Sequence, residues 1–192
     1  MTETAPLPLR RMRYDPVAQG LHWLVAALAV AVVGLGLAIP EAARGDTARF
    51  LILLAHRSLG ITIFVVMVVR LLWRCGHAPP PLPEHMAPIE QLLATAAHWM
   101  LYVLFLGMPL TGYLNSAAAG HSVDFFGVLT IPPLLPENPR LAQIAIALHL
   151  AGQWLVYLFV AMHSAAALMH HFVRRDDVMV RMLPRRGKAQ TR

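Results

Sequence analysis

Four long apolar stretches limit what this chain can fold into: Gln19 to Ile39, Phe50 to Trp73, Leu92 to Leu114, and Leu141 to Phe172. Crossing a hydrocarbon core of about 30 Å takes roughly 20 helical residues, and each stretch meets that length. Arg57 and Arg70 are the only Asp, Glu, Lys or Arg side chains within them. The stretches are continuously apolar and lack the period-two alternation of barrel strands, so helices are expected to span. Over 192 residues, 57% hydrophobic against 14% charged excludes an ordinary soluble domain. The expected fold is all-α, an integral membrane four-helix bundle running up-down-up-down. Residues 1–13 read as an N-terminal tail, 14–183 as the membrane domain and 184–192 as a basic tail. Pro109 predicts a kink or an early end in the third helix. The fourth is long enough for His170, His171 and Arg174 to emerge among headgroups.

Basic residues orient the bundle. Arg10, Arg11 and Arg13 precede the first helix, Arg70 and Arg74 close the second, and Arg174, Arg175, Arg181, Arg185, Arg186, Lys188 and Arg192 follow the fourth. Arg44, Arg49 and Arg140 fall on the opposite side. The positive-inside rule then places both termini in the cytoplasm. The net charge of +6 is mostly this topology, and no basic patch interleaved with aromatics points to nucleic acid. The first stretch is too long for a signal h-region and lacks a small-residue cleavage site, so it is expected to stay in the mature protein. The run from Gly76 to Pro88, with Pro79, Pro80, Pro81 and Pro83, reads as a stiff connector.

Histidines carry the chemistry. His22, His56, His149 and His163 lie inside the apolar stretches, where an imidazole is costly without a partner. With a rise of about 1.5 Å per residue, His149 sits about 12 Å and His163 about 33 Å along the fourth helix. Those depths match His56, near the outer start of helix two, and His22, near the inner start of helix one. His149 and His163 are also on nearly one face, since 14 residues fall about 40° short of four turns. Two levels of paired imidazoles suit two stacked bis-histidine haems: His56 with His149 outside, His22 with His163 inside. Such six-coordinate b-type centres suit electron transfer better than dioxygen binding. Structural zinc would want four ligands about one point, and these split into two levels. A lone Cys75 and no Cys-x-x-Cys-His rule out the usual covalent haem attachment.

Several other residues have open roles at this stage. His98 competes with His22 for the inner iron or bonds a propionate. His170 lies near the face of His163 but close to the surface, and His171 beside it reads as a proton carrier. His77, His85 and His121 read as loop residues. Arg57, next to His56, is expected to pair with a haem propionate, whereas Arg70 can snorkel. Gly34, Gly36, Gly60, Gly107, Gly112 and Gly152 allow close approach of a macrocycle or of another helix. Trp23, Trp73, Trp99 and Trp154 read as interfacial anchors.

The order of motifs is similar to that of a known family. These motifs are His22-Trp23, the His56 helix, Pro109-Leu110-Thr111-Gly112-Tyr113-Leu114 with Ser116 and Gly120, Phe126-Gly127 before Ile131-Pro132, and His149, His163 and Ala167-Leu168-Met169-His170-His171. From Arg13-Tyr14-Asp15 to Arg181-Met182-Leu183-Pro184 the chain resembles the bacterial cytochrome b561 proteins, whose domain is shared with cytochrome b subunits of nickel-iron hydrogenases. The resemblance implies a multi-pass protein of the bacterial inner membrane with two non-covalent haems b, ligated at the positions of His22, His56, His149 and His163. It implies electron transfer with ubiquinone as a diffusible partner. Some family members are similar to superoxide oxidases, which pass an electron from periplasmic superoxide to the ubiquinone pool. The leading expectation is thus a superoxide:quinone oxidoreductase, with the loop from Asn115 to Arg140 above the outer haem and Arg49, Arg57 and Arg140 attracting the anion. The alternative is an anchor or relay subunit for a hydrogenase or other dehydrogenase. A haem-free histidine transporter or scaffold explains the paired depths poorly.

Overall fold

The computed structural model describes residues 13–83 and 86–184. Arg10, Arg11, His85, Arg185, Arg186, Lys188 and Arg192 therefore lie outside the described residues. Four long helices account for most of the rest: α1 (Pro16–Ala38), α2 (Thr47–Gly76), α3 (Pro88–Ala118) and α4 (Pro139–Met169). A hairpin of β1 (Val123–Phe125) and β2 (Leu129–Ile131) pairs antiparallel between α3 and α4. All four helices are long and apolar enough to cross a membrane. Large apolar side chains such as Val30, Leu72, Val103 and Leu148 are exposed on them, which suits a surface solvated by lipid tails rather than water.

Local chemistry sets the helix starts. Asp15 caps α1 by accepting from the Val17 and Ala18 N–H groups at 3.0 Å, and Asn138 caps α4 through the Leu141 N–H at 3.0 Å. Pro16, Pro88 and Pro139 occupy first-turn positions, where a missing N–H costs nothing. Burial, opposed by hydrogen bonds from Ala18, Trp73 and Val17 that outweigh it, leaves the Asp15 carboxyl below its ordinary range. The expected early end at Pro109 does not occur. α3 continues unbroken to Ala118, because packing of a helix between neighbours outweighs the local loss of one backbone bond.

Packing is uneven around the bundle. α1 packs on α2, α2 on α3 and α3 on α4. The buried cluster of Val25, Ile63, Met67 and Tyr102 lies among α1, α2 and α3. α4 makes its close backbone packing against α3 and reaches α1 and α2 through side chains. One end of the bundle is tied by the segment after α4: Arg181 O accepts from Tyr14 N at 3.2 Å and Gln19 Nε2 at 3.0 Å, and Met182 O from Trp23 Nε1 at 2.9 Å. Trp73 of α2 donates to both Asp15 oxygens at 3.1 Å at this end. Arg174 pairs there with Glu90 at the start of α3.

Candidate functional site

The two histidine levels expected from spacing are present as ring pairs. His22 of α1 faces His163 of α4 with ring centres 6.1 Å apart and planes at 70°. His56 of α2 faces His149 of α4 at 6.2 Å and 78°. α4 thus supplies one imidazole to each level, across the side of the bundle where its backbone stands away from α1 and α2.

The spacing can be compared with that of two imidazoles sharing a metal. A metal–imidazole bond is about 2.0–2.1 Å. A five-membered ring with bonds of about 1.33 Å has a radius of about 1.1 Å. Twice the sum is about 6.3 Å between ring centres, close to both observed values. His98 stands 5.3 Å from His163, too close for an intervening metal but normal for an edge-to-face ring contact. Of the two candidates at the inner level, His22 has the ligand spacing. Among the described residues no three His, Cys, Asp or Glu side chains converge as a metal cluster, so the two-ring geometry favours haem over structural zinc.

The surroundings of the outer pair are those of a slot for a flat group. A narrow, partly open cleft of about 90 Å³ runs between His56 and His149 and is lined by Val32, Gly60, Phe105 and Val156. A Cβ added at Gly60 would meet nothing within 4 Å. Both imidazoles are held from behind. His56 Nδ1 is 3.0 Å from Val32 O, and His149 Nδ1 is 3.0 Å from Met108 O. A carbonyl oxygen can only accept, so each Nδ1 carries the hydrogen and each Nε2 keeps its lone pair for a ligand. At the inner level His22 Nδ1 is buried without a hydrogen-bond partner among the described residues.

The remaining predicted residues scatter. Arg57 is exposed, one residue beyond His56. Arg49 donates to Ile39 O and, at 3.0 Å, to Ala42 O, closing the α1–α2 turn. Arg140 and His121 are exposed, and His77 stacks on Trp73 at 4.0 Å. A cavity of about 520 Å³ opens near the inner pair, lined by Arg13, Arg70, Arg74, Tyr14, Trp73 and Tyr102 among others. Burial pushes the Tyr14 phenol up, against the opposing pull of Arg74 and Arg70. His170, expected at the surface, is buried at 6% exposure, and its Nδ1 lies 2.5 Å from Asp176 Oδ2. The chain makes this contact by leaving α4 through a π turn (His170–Arg174) and a left-handed Arg175.

One residue the spacing did not single out fixes the outer cover. Ser58, two positions after His56 and 0% exposed, donates to Leu54 O at 2.7 Å and accepts from the Phe126 N–H at 2.8 Å. It ties the β hairpin to α2 beside the outer pair. A serine hydroxyl in an apolar helix, two residues from His56, was the available signal.

Comparison with known proteins identifies the family. The family profile of prokaryotic cytochrome b561 matches residues 13–185. The chain is 36% identical over 172 residues to cytochrome b561 homolog 2 of Escherichia coli (strain K12), covering 89% of this chain and 91% of that one. It is 30% identical over 174 residues to a probable superoxide oxidase, CybB, of Yersinia pestis, covering 91% and 97%. With cytochrome b561 homolog 1 of Escherichia coli (strain K12) it shares 30% over 177 residues, covering 91% and 98%. The chain therefore belongs to the prokaryotic cytochrome b561 family, multi-pass proteins of the bacterial inner membrane that bind haem b and transfer electrons.

Proposed function

We propose that this chain is a di-haem cytochrome b that carries electrons from a small donor on the periplasmic side, superoxide, to the ubiquinone pool. The observation behind this reading is the two imidazole pairs at 6.1 and 6.2 Å. In it His56 and His149 hold the outer haem, and His22 and His163 the inner one. Bound haem supplies a reversible one-electron couple at each level.

The chain's own residues position, neutralise and cover. Nδ1–H donation to Val32 O and Met108 O aims Nε2 of both outer imidazoles into the slot. Arg57 stands beside His56 as a counter-ion for a propionate. Arg70, which lines the inner cavity with Arg13 and Arg74, does the same at the inner level. The hairpin held by Ser58 and Arg57 and Arg140 face the side where an anion would arrive. Two superoxide anions each lose one electron and leave as dioxygen, and two electrons with two protons convert one quinone to quinol.

The test is rapid mixing of the purified, oxidised protein with potassium superoxide under argon. Haem reduction on the mixing timescale, followed by electron delivery to added ubiquinone, is the expected result. Haem that stays oxidised while a co-purifying iron-sulfur protein reduces it would instead assign the chain as a relay subunit.

A further inference from the structure

The two outer imidazoles are seated in the same way on two different helices. His56 Nδ1 meets Val32 O of α1 at 3.0 Å, and the residue four positions on is Gly36. His149 Nδ1 meets Met108 O of α3 at 3.0 Å, and the residue four positions on is Gly112. In a helix the carbonyl of residue i points at the N–H of i+4, so a side chain sharing that carbonyl must pass over residue i+4. Both positions are glycine. A Cβ at Gly36 would lie 3.2 Å from His56 Cε1 and 3.5 Å from its Nδ1; at Gly112 the corresponding distances to His149 are 3.3 and 3.5 Å. Thr111 adds to the second seat, its Oγ1 lying 3.1 Å from His149 Nδ1 and donating to Met108 O at 2.8 Å.

The inner pair has no such seat. No protein hydrogen bond to a ring nitrogen of His22 or His163 occurs among the described residues, and His22 Nδ1 is buried without a partner. Gly34, on α1 near Gly36, has nothing within 4 Å of an added Cβ. An imidazole seated over a glycine is therefore a feature of Gly36 and Gly112 and not of every glycine in this bundle.

Donation from Nδ1–H to a carbonyl makes an imidazole more basic at Nε2 and fixes its ring plane. A more basic axial ligand stabilises ferric over ferrous iron, which lowers the potential of that centre. We propose that the two notches, Val32 to Gly36 and Met108 to Gly112, are positioning elements. They hold the outer ligands as Nδ1–H donors with crossed planes and keep the outer haem at the lower potential of the two, so that electrons fall inward. Gly36 and Gly112 act through the histidines and touch no reacting atom. This inference rests on the ligand assignment above and adds an order of potentials and the residues that set it.

The experiment is a redox titration with electron paramagnetic resonance on the full-length protein in detergent, on the parent and on Gly36→Ala, Gly112→Ala and Gly34→Ala. Alanine is the better helix former, so any effect at Gly36 or Gly112 comes from the ring and not from the helix. Gly36→Ala and Gly112→Ala are expected to raise the lower potential, leave the higher one in place and change one low-spin ferric signal. Gly34→Ala should change neither. His22→Ala, which removes the inner haem, identifies the remaining outer centre in a chain with both notches intact, and that centre must be the lower of the parent's two. An outer centre at the higher potential overturns the proposal, as do glycine variants that hold both haems with unchanged potentials. A haem-free parent would instead defeat the ligand assignment.

Discussion

Replacing Ser58 with alanine tests how the cover over the outer level is held. The hydroxyl receives the Phe126 N–H at 2.8 Å, and Ser58 is 0% exposed. Alanine fills nearly the same volume, so no cavity opens; what is lost is the acceptor. A donor left without its acceptor costs about 1–3 kcal/mol. Phe126 is also held at φ 51°, a left-handed conformation that costs a residue with a Cβ roughly 1–2 kcal/mol and that the Ser58 bond helps maintain. A loss of about 1–3 kcal/mol raises the population of the detached hairpin by about 5- to 150-fold. Hydrogen exchange read by mass spectrometry in detergent should show faster exchange over residues 123–131. The α2 peptide carrying His56 should be unchanged. Exchange that is the same in both proteins would refute the idea that Ser58 anchors the hairpin.

Other perturbations give distinct signatures. Asp15→Ala removes an N-cap and the acceptor of Trp73 and should lower stability by about 1–3 kcal/mol in denaturant unfolding at neutral pH. The depressed Asp15 carboxyl stabilises the fold above its unfolded value of about 3.9, and that contribution is lost as pH falls through the lower folded value. The gap between parent and Asp15→Ala should therefore be flat from about pH 5 to 8 and close in stronger acid. Gly120→Ala puts a Cβ at φ 74° against the Glu137 side chain and should destabilise the α3–hairpin corner, read as a lower melting temperature with spectrum unchanged. Cys75, free and exposed at the end of α2, should react with an impermeant maleimide in inverted vesicles and not in spheroplasts; the reverse would overturn the orientation with cytoplasmic termini.

The sequence was most legible where one helix alone decided the answer. Window length gave four spans, and each helix in the structure starts only a few residues before its window, at caps such as Asp15 and Asn138 that sit just outside the apolar run. Rise and turn along α4 gave two histidine levels on one face, and the ring pairs match them. Depth alone could not separate His22 from His98, because both lie at the inner level and only their lateral distance to His163 differs, 6.1 against 5.3 Å. The burial of His170 was hidden because it depends on Asp176 folding back after a π turn. Gly36 and Gly112 were visible as close-approach candidates, yet what approaches them is an imidazole from another helix. No periodicity within α1 or α3 encodes that partner. Of the two outcomes expected at Pro109, the early end does not occur, because local propensity is overruled when neighbouring helices and lipid leave the backbone no better alternative.

The most direct measurement is a reduced-minus-oxidised visible spectrum of the purified protein with haem b quantified per chain, repeated for His149→Ala and His163→Ala. Near two haems per chain are expected in the parent, with His149→Ala removing or perturbing one centre and His163→Ala the other. A colourless parent, or one haem lost equally to either substitution, would contradict the two-level assignment.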